Sequence, residues 1–201
     1  MTKHEKTWDK ILKIKTGGRD ASRWGQYYFH YEPTPYLVLE RLTNSGLISK
    51  NDVILDYGCG KGRVGFFISY VRGAKSIGIE NDERIYSYAK ENQRTGLSAD
   101  QVDFILESAE DYKVGSGVNI CYFFNPFSVE ILQKVMARII DSYYSKPREI
   151  LLFFYYPSEE YIYYLMTLDE LNFIDEINCT DLFGGNNQRE RIMIFQLPGF
   201  K

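Results

Sequence analysis

Between Val53 and Arg63 an apolar run ends in an acid and then in alternating glycines: Asp56, Gly58, Gly60 and Gly62. Glycines at every second position let the chain turn tightly with positive φ and let a ligand reach the main chain without a Cβ in the way. The stretch therefore reads as a nucleotide-binding turn with a carboxylate at its mouth, and a helix is expected just after it. A second pattern overlaps the first. Gly60, Gly62 and Gly65 are spaced G-x-G-x-x-G, and Glu80 follows about 20 residues on, where a dinucleotide site keeps its ribose-binding acid.

Charge separates the two readings. A pyrophosphate is received by a helix N-terminus and bare amides, and a carboxylate at the place of Asp56 would repel it. A phosphate-free ligand with a cationic, ammonium-bearing end suits that acid better, and S-adenosylmethionine is such a ligand. Here the chain resembles the class I S-adenosylmethionine-dependent methyltransferases, whose first motif, acid-x-Gly-x-Gly-x-Gly, is matched by Asp56, Gly58, Gly60 and Gly62. That family also keeps an acid at the end of its second strand for the ribose hydroxyls, and Ser76-Ile77-Gly78-Ile79-Glu80 supplies one. The resemblance spans roughly residues 34 to 197, at the level of architecture for the last third.

The resemblance implies roles for particular residues. Asp56, Gly58 and Gly60, with Gly62 in the same turn, would face the methionine half of the cofactor, Glu80 would take the ribose hydroxyls, and the loop Glu107-Ser108-Ala109 would lie by the adenine, with Ser108 and Ala109 its candidate contacts. The family usually has an acid just before that alanine, where this chain has Ser108. Asn125-Pro126-Phe127 is similar to the Asn-Pro-Pro-Tyr tetrad of amino-group methyltransferases, with the second proline missing; the plainer reading is a turn stopped by Pro126. Asn125, Phe127 and Tyr155 are thus the candidate acceptor-facing, catalytic residues. Tyr31-Glu32-Pro33-Thr34-Pro35-Tyr36 looks like the segment that folds over the methyl donor in some methyltransferases, which makes Thr34 and Tyr36 candidate cofactor contacts. Lys61 and Arg63 read as solvated, and Trp24, Tyr28 and His30 as core or rim residues.

These residues must be held by a scaffold, and the chain alternates short apolar runs with helical periods, which means a parallel sheet with crossover helices. The expected fold is a single doubly wound, mostly parallel seven-stranded Rossmann-like α/β sheet. Residues 1–33 would carry an N-terminal helix, near 4–14, and a possible lid, and residues 34–201 the methyltransferase domain. Thr34 is expected to cap the next helix, with Pro35 in its first turn and Gly46 at its end. Strands are expected at 53–57, 75–80, 102–106, 118–124 and 149–155, followed by a closing antiparallel hairpin from 173–179 and 191–197. Asp82 and Ser128 should open helices, and only a vestigial crossover fits between 107 and 117.

Composition bounds the partners. The net charge of −3 argues against nucleic-acid binding driven by counterion release, although residues 1–23 hold seven basic side chains against three acidic ones. The plain account of that end is a solvated helix face with Trp8, Ile11, Leu12 and Ile14 packed inward. Cys59, Cys121 and Cys179 form no disulfide or zinc pattern, so a reducing cytoplasm is expected, with no metal and no membrane segment. The reading is methyl transfer, to a nitrogen of a protein side chain or small molecule ahead of nucleic acid. An NAD(P)-binding oxidoreductase and a non-catalytic S-adenosylmethionine-binding module are the alternatives.

Overall fold

A computed structural model describes residues 2–18 and 29–199. Seven strands form one sheet in the order β3-β2-β1-β4-β5-β7-β6. They are β1 (Val53–Tyr57), β2 (Lys75–Glu80), β3 (Val102–Leu106), β4 (Ile120–Phe123), β5 (Ile150–Tyr155), β6 (Asn172–Asn178) and β7 (Arg191–Leu197). All pairings are parallel except those of β7, which runs antiparallel between β5 and β6. The strand order reverses beside β1, so the carboxyl ends of β1 and β4 border the crevice where open α/β sheets bind ligands.

The helices are α1 (Lys3–Leu12), α2 (Tyr36–Asn44), α3 (Arg63–Arg72), α4 (Glu83–Thr95), α5 (Val129–Ser145) and α6 (Glu159–Leu165). Strand side chains alternate between faces, so neighbouring residues of β1 feed two different cores. Ile54 joins Leu12, Leu39, Phe66 and Phe67 on one face, whereas Leu55 joins Leu132, Met136, Ile139 and Leu165 on the other. Leu12 and Ile14 at the N-terminal end therefore belong to the same core as β1, and Trp8 packs its ring against Tyr36 and Phe67 at 5.9 and 4.8 Å.

Local signals gave way in several places. The first helix ends at Leu12, before the expected residue 14, because Lys13 turns left-handed at φ 57°, and Ile11 is 40% exposed, so it does not pack inward. Thr34 does not cap α2: Pro35 holds the cap position, and the Thr34 hydroxyl lies 3.1 Å from Tyr122 Oη. The free Tyr36 amide of α2 donates instead to Glu5 Oε1 of α1 at 2.9 Å. Ser128 does precede α5 but makes no side-chain cap bond, and β4 is shorter than its apolar run. Residues 19–28, with Trp24 and Tyr28, lie outside the described residues.

The turn after β1 takes positive φ at Gly58, Gly60 and Gly62, at 72°, 58° and 87°. At Gly62 an added Cβ would also run into the Phe104 and Phe66 rings. Gly62→Ala should therefore destabilise the fold by about 2–4 kcal/mol, from left-handed strain plus overpacking. Chemical denaturation that leaves the midpoint unchanged would contradict this account of the turn.

Candidate functional site

The end of β2 organises the glycine turn. The amides of Gly58 and Cys59 both donate to the Ile79 carbonyl, at 3.0 and 2.9 Å. Glu80 then accepts from Gly60 N at 3.0 Å through Oε2, and from Asn81 N and Asp82 N at 3.0 and 2.9 Å through Oε1. Burial raises its pKa, and these amide bonds oppose the rise. Glu80 thus holds the turn as well as facing the crevice, which a reading of it as a free strand-end acid does not include.

Asp56, one residue before the strand's end, has no such partners. It is 3% exposed, and its Oδ2 is buried without a hydrogen bond. Burial first, and then the nearby Glu80 charge, push its pKa up to about 8. A carboxyl of this kind is an orphan looking for a cation or a donor.

A cavity of about 290 Å³ opens in front of it, at the lower end of the ~300–1,000 Å³ typical of ligand pockets. Asp56, Gly58 and Cys59 line it from the turn, Glu80 and Asp82 from the β2 end, and Glu107 and Ala109 from the loop after β3. Tyr122, Phe124, Pro126 and Phe127 form the β4 side, and residues 29–34 cross the outside. Five carboxylates, those of Glu32, Asp56, Glu80, Asp82 and Glu107, face two guanidinium groups, those of Arg63 and Arg84.

Of the residues singled out in the sequence, the cavity brings together Asp56, Gly58, Glu80, Ala109, Thr34 and Phe127. Gly60 and Gly62 belong to the turn but lie beneath the rings of Tyr31 and Phe104, so protein side chains fill the space their missing Cβ atoms leave. Ser108 sits in a turn, its carbonyl accepting from Asp111 N and Tyr112 N, and the acid that lines the cavity is Glu107, one position earlier than the family's pattern. Tyr36 is not in the lining. It is wholly buried, with its hydroxyl donating to Asp9 Oδ1 at 2.7 Å.

Asn125 and Tyr155 also stand outside the lining. Asn125 adopts φ 42°, a left-handed conformation that Asn tolerates better than most residues, and its buried Oδ1 has no partner. The neighbouring Pro126 carbonyl accepts from Phe29 N at 3.2 Å. Tyr155 donates to Glu190 Oε2 at 2.6 Å, and its ring packs 4.7 Å from Phe124, which does reach the cavity.

The expectation that Lys61 and Arg63 are solvated is overturned. Arg63 is 2% exposed; it donates from Nε to Thr16 Oγ1 at 2.7 Å and from Nη1 to the Thr34 carbonyl at 3.0 Å, and it pairs with Glu5. Lys61 Nζ donates to the Gly17 carbonyl at 3.1 Å and lies 4.7 Å from the centre of the Tyr31 ring. Local sequence carries no sign of these partners, which come from far along the chain.

The raised pKa of Asp56 has a sign that can be checked. From its ordinary value near 3.8 up to about 8, the folded chain keeps a proton that the unfolded chain has released, so stability falls as pH rises through that window. The ligand-free melting temperature should therefore decline between about pH 5 and pH 8, and Asp56→Asn should flatten that slope and melt higher at the alkaline end. Identical slopes in the two proteins would show that Asp56 ionises normally.

Known proteins resemble this arrangement. Over 72 residues the chain is 33% identical to a protein-lysine N-methyltransferase of Saccharolobus islandicus (strain REY15A), a match covering 34% of this chain and 44% of that protein, so the chain spans under half of that relative. An RNA methyltransferase from Salinibacter ruber, solved in complex with S-adenosyl-L-homocysteine, shares the fold at TM-score 0.55 and 18% identity, over 85% of this chain and 96% of that one. The glycopeptide N-methyltransferase MtfA does so at TM-score 0.60 and 10% identity, over 81% and 90%. A family model described as a methyltransferase domain matches residues 48–148, which are half of the chain and include the glycine turn, Glu80, Glu107 and the β4 end. With that match, the chain belongs to the methyltransferase domain family, and it has the fold of the S-adenosylmethionine-dependent methyltransferases it resembles.

Proposed function

We propose that the enzyme methylates a nitrogen, with the amine of a protein lysine first among acceptors and a small-molecule amine next. The carrying observation is the charge and chemistry of the cavity: the carboxylates of Glu32, Glu80, Asp82 and Glu107, beside a protonated Asp56, against two guanidinium groups, with the rings of Phe29, Tyr31, Tyr122, Phe124 and Phe127 among them. Such a lining attracts cations and repels a phosphate backbone. The protein-lysine relative is consistent with it.

S-adenosylmethionine would supply an electrophilic methyl group, which a lone pair of the acceptor takes in line as the sulfonium sulfur leaves as a neutral thioether. In the proposed arrangement the Asp56 carboxyl receives the ammonium at the methionine end, Glu80 Oε2 keeps one lone pair for a ribose hydroxyl, and Glu107 with Ala109 borders the adenine. The place of Asp56 in the cavity lining, with a carboxyl oxygen that has no hydrogen-bond partner, is the structural reason to place the ammonium there. Gly58 and Thr34 complete the walls; Gly60, Gly62 and Ser108 act through the shape of their loops, and Tyr36 through the core. Phe127 and Phe124 form the acceptor side, backed by Tyr155. Catalysis on this reading comes from alignment and from keeping water away from the sulfonium. Three buried free cysteines suit a reducing cytoplasm, and no helix among the described residues is long and apolar enough to cross a membrane.

The first test is calorimetry. S-adenosylhomocysteine should bind in the micromolar range, about −8 kcal/mol, and NAD far more weakly. Transfer of a labelled methyl group to lysine-containing proteins, with none to RNA, is the expected outcome; label in RNA alone would refute the acceptor class, and binding without any transfer would favour a non-catalytic module.

Asn125 needs a separate test, because its left-handed backbone explains its identity as well as contact with an acceptor would. If its amide faces the acceptor, Asn125→Gly, which keeps the backbone conformation, should lower turnover at least tenfold while sparing cofactor affinity. Normal turnover in the glycine variant would reduce Asn125 to a turn residue.

A further inference from the structure

Resting on the assignment of the cavity to the cofactor, we propose that Glu5 and Arg63 are positioning residues for the cofactor, holding the segment from Tyr31 to Tyr36 as the outer wall of the cavity. Residues 32–35 belong to no helix or strand, and Tyr31 makes only an isolated bridge. A wall with no hydrogen-bonded ladder of its own depends on whatever fastens it from outside.

Two sets of fastenings converge on one guanidinium. On one side Arg63 Nη1 donates to the Thr34 carbonyl at 3.0 Å and pairs with Glu5 Oε2, while Glu5 Oε1 accepts from the Tyr36 amide at 2.9 Å. On the other, Arg63 Nε donates to Thr16 Oγ1 at 2.7 Å, and the Thr16 carbonyl accepts from the Tyr31 hydroxyl at 2.6 Å. Asp9 steadies this second set, accepting from Thr16 N at 2.9 Å and from Thr16 Oγ1 at 2.7 Å. The wall so held puts the Tyr31 ring on Gly60 and the Thr34 hydroxyl 3.1 Å from Tyr122 Oη, and Tyr31, Thr34 and Tyr122 all line the cavity.

The chemistry of the hub fits this task. Arg63 is the first residue of α3, where the helix dipole disfavours a cation, and it is 2% exposed, where an unpaired charge is prohibitive. Glu5 offsets both costs, and Asp9 Oδ1, 3.8 Å from Nη2, adds to it. Serving Thr16, Thr34 and Glu5 at once takes the fixed fork of a guanidinium, which a lysine ammonium cannot reproduce. The N-terminal helix is in this way a working part of the cofactor site, although it lies outside the stretch matched by the family model.

The test uses the full chain with Glu5→Gln, Arg63→Lys and, as a control destabilised elsewhere, Leu165→Ala in the opposite core. S-adenosylhomocysteine affinity is measured by calorimetry well below each melting temperature, and hydrogen exchange is followed in the peptide spanning residues 29–36. Glu5→Gln and Arg63→Lys should each weaken binding at least tenfold and speed exchange in that peptide, while Leu165→Ala melts lower yet binds within about twofold of wild type. Wild-type affinity in both cluster variants would overturn the proposal, as would an equal loss in Leu165→Ala, which would make the effect one of global stability. Failure of the wild type to bind S-adenosylhomocysteine would refute the cofactor assignment itself, and faster exchange in the variants would then leave the cluster a purely structural fastening.

Discussion

The main-chain hydrogen bonds between the end of β2 and the glycine turn are the constraint on which the site rests. Ile79 fixes Gly58 and Cys59 through its carbonyl, and Glu80 fixes Gly60 through its carboxylate. With three consecutive residues of the turn, Gly58, Cys59 and Gly60, bonded to the end of β2, the chain takes positive φ at Gly58, Gly60 and Gly62 before α3 begins at Arg63. The Cβ-free faces of the turn then serve packing: Pro126 sits on Gly58, Tyr31 on Gly60 and Phe104 on Gly62. The glycines are needed because three parts of the protein approach the same few atoms, and the cavity is what remains between those approaches and Asp56.

Much of this could be read from the chain alone, for a definable reason. β1 is buried along nearly its whole length and shows as an apolar run, β2 and β3 carry apolar residues alternating with polar or small ones, and all three fall at their expected residues; Asp82 caps α4 because it competes only with its own next turn. What could not be read depends on residues distant in sequence. A Thr-Pro pair is a strong cap signal, yet Thr34 turns to Tyr122, 88 positions away, and Glu5, 31 positions before Tyr36, takes over the amide. Arg63 looks like an ordinary charged helix residue until Glu5 and Thr16 are brought to it across 58 and 47 positions. In the site, Asp56 and Glu80 were legible from the glycine spacing and Glu107 from its loop after β3, although Ser108 stands where the family's acid is expected; Tyr122 was hidden by its place in an apolar strand.

The strand-four ending shows how one residue can satisfy two demands that sequence cannot separate. Asn125 is placed where an amino-group methyltransferase keeps an acceptor-binding amide, and it also occupies a left-handed turn that Asn accommodates at little strain. The Pro126 carbonyl, the second acceptor atom in that comparison, already receives the Phe29 amide. A carbonyl has a second lone pair, so this does not close the site to an amine, but it ties the acceptor side to the same outer segment that Arg63 holds. Donor and acceptor walls are therefore mechanically one piece.

That unity bears on the acidic lining. Burial first, and then the nearby Glu80 charge, raise the cost of ionising Asp56, so Asp56 keeps its proton near neutral pH. A cation bound beside the two acids lowers that cost and is held by it, and in the proposed arrangement that cation is the cofactor's ammonium, which is present before and after transfer. The same acidic lining draws in an amine as its ammonium form. An amine must release that proton to solvent before its lone pair is free. The acidic lining would then act on the approach of the amine, and the rings of Phe124 and Phe127 on how it is held at the β4 side.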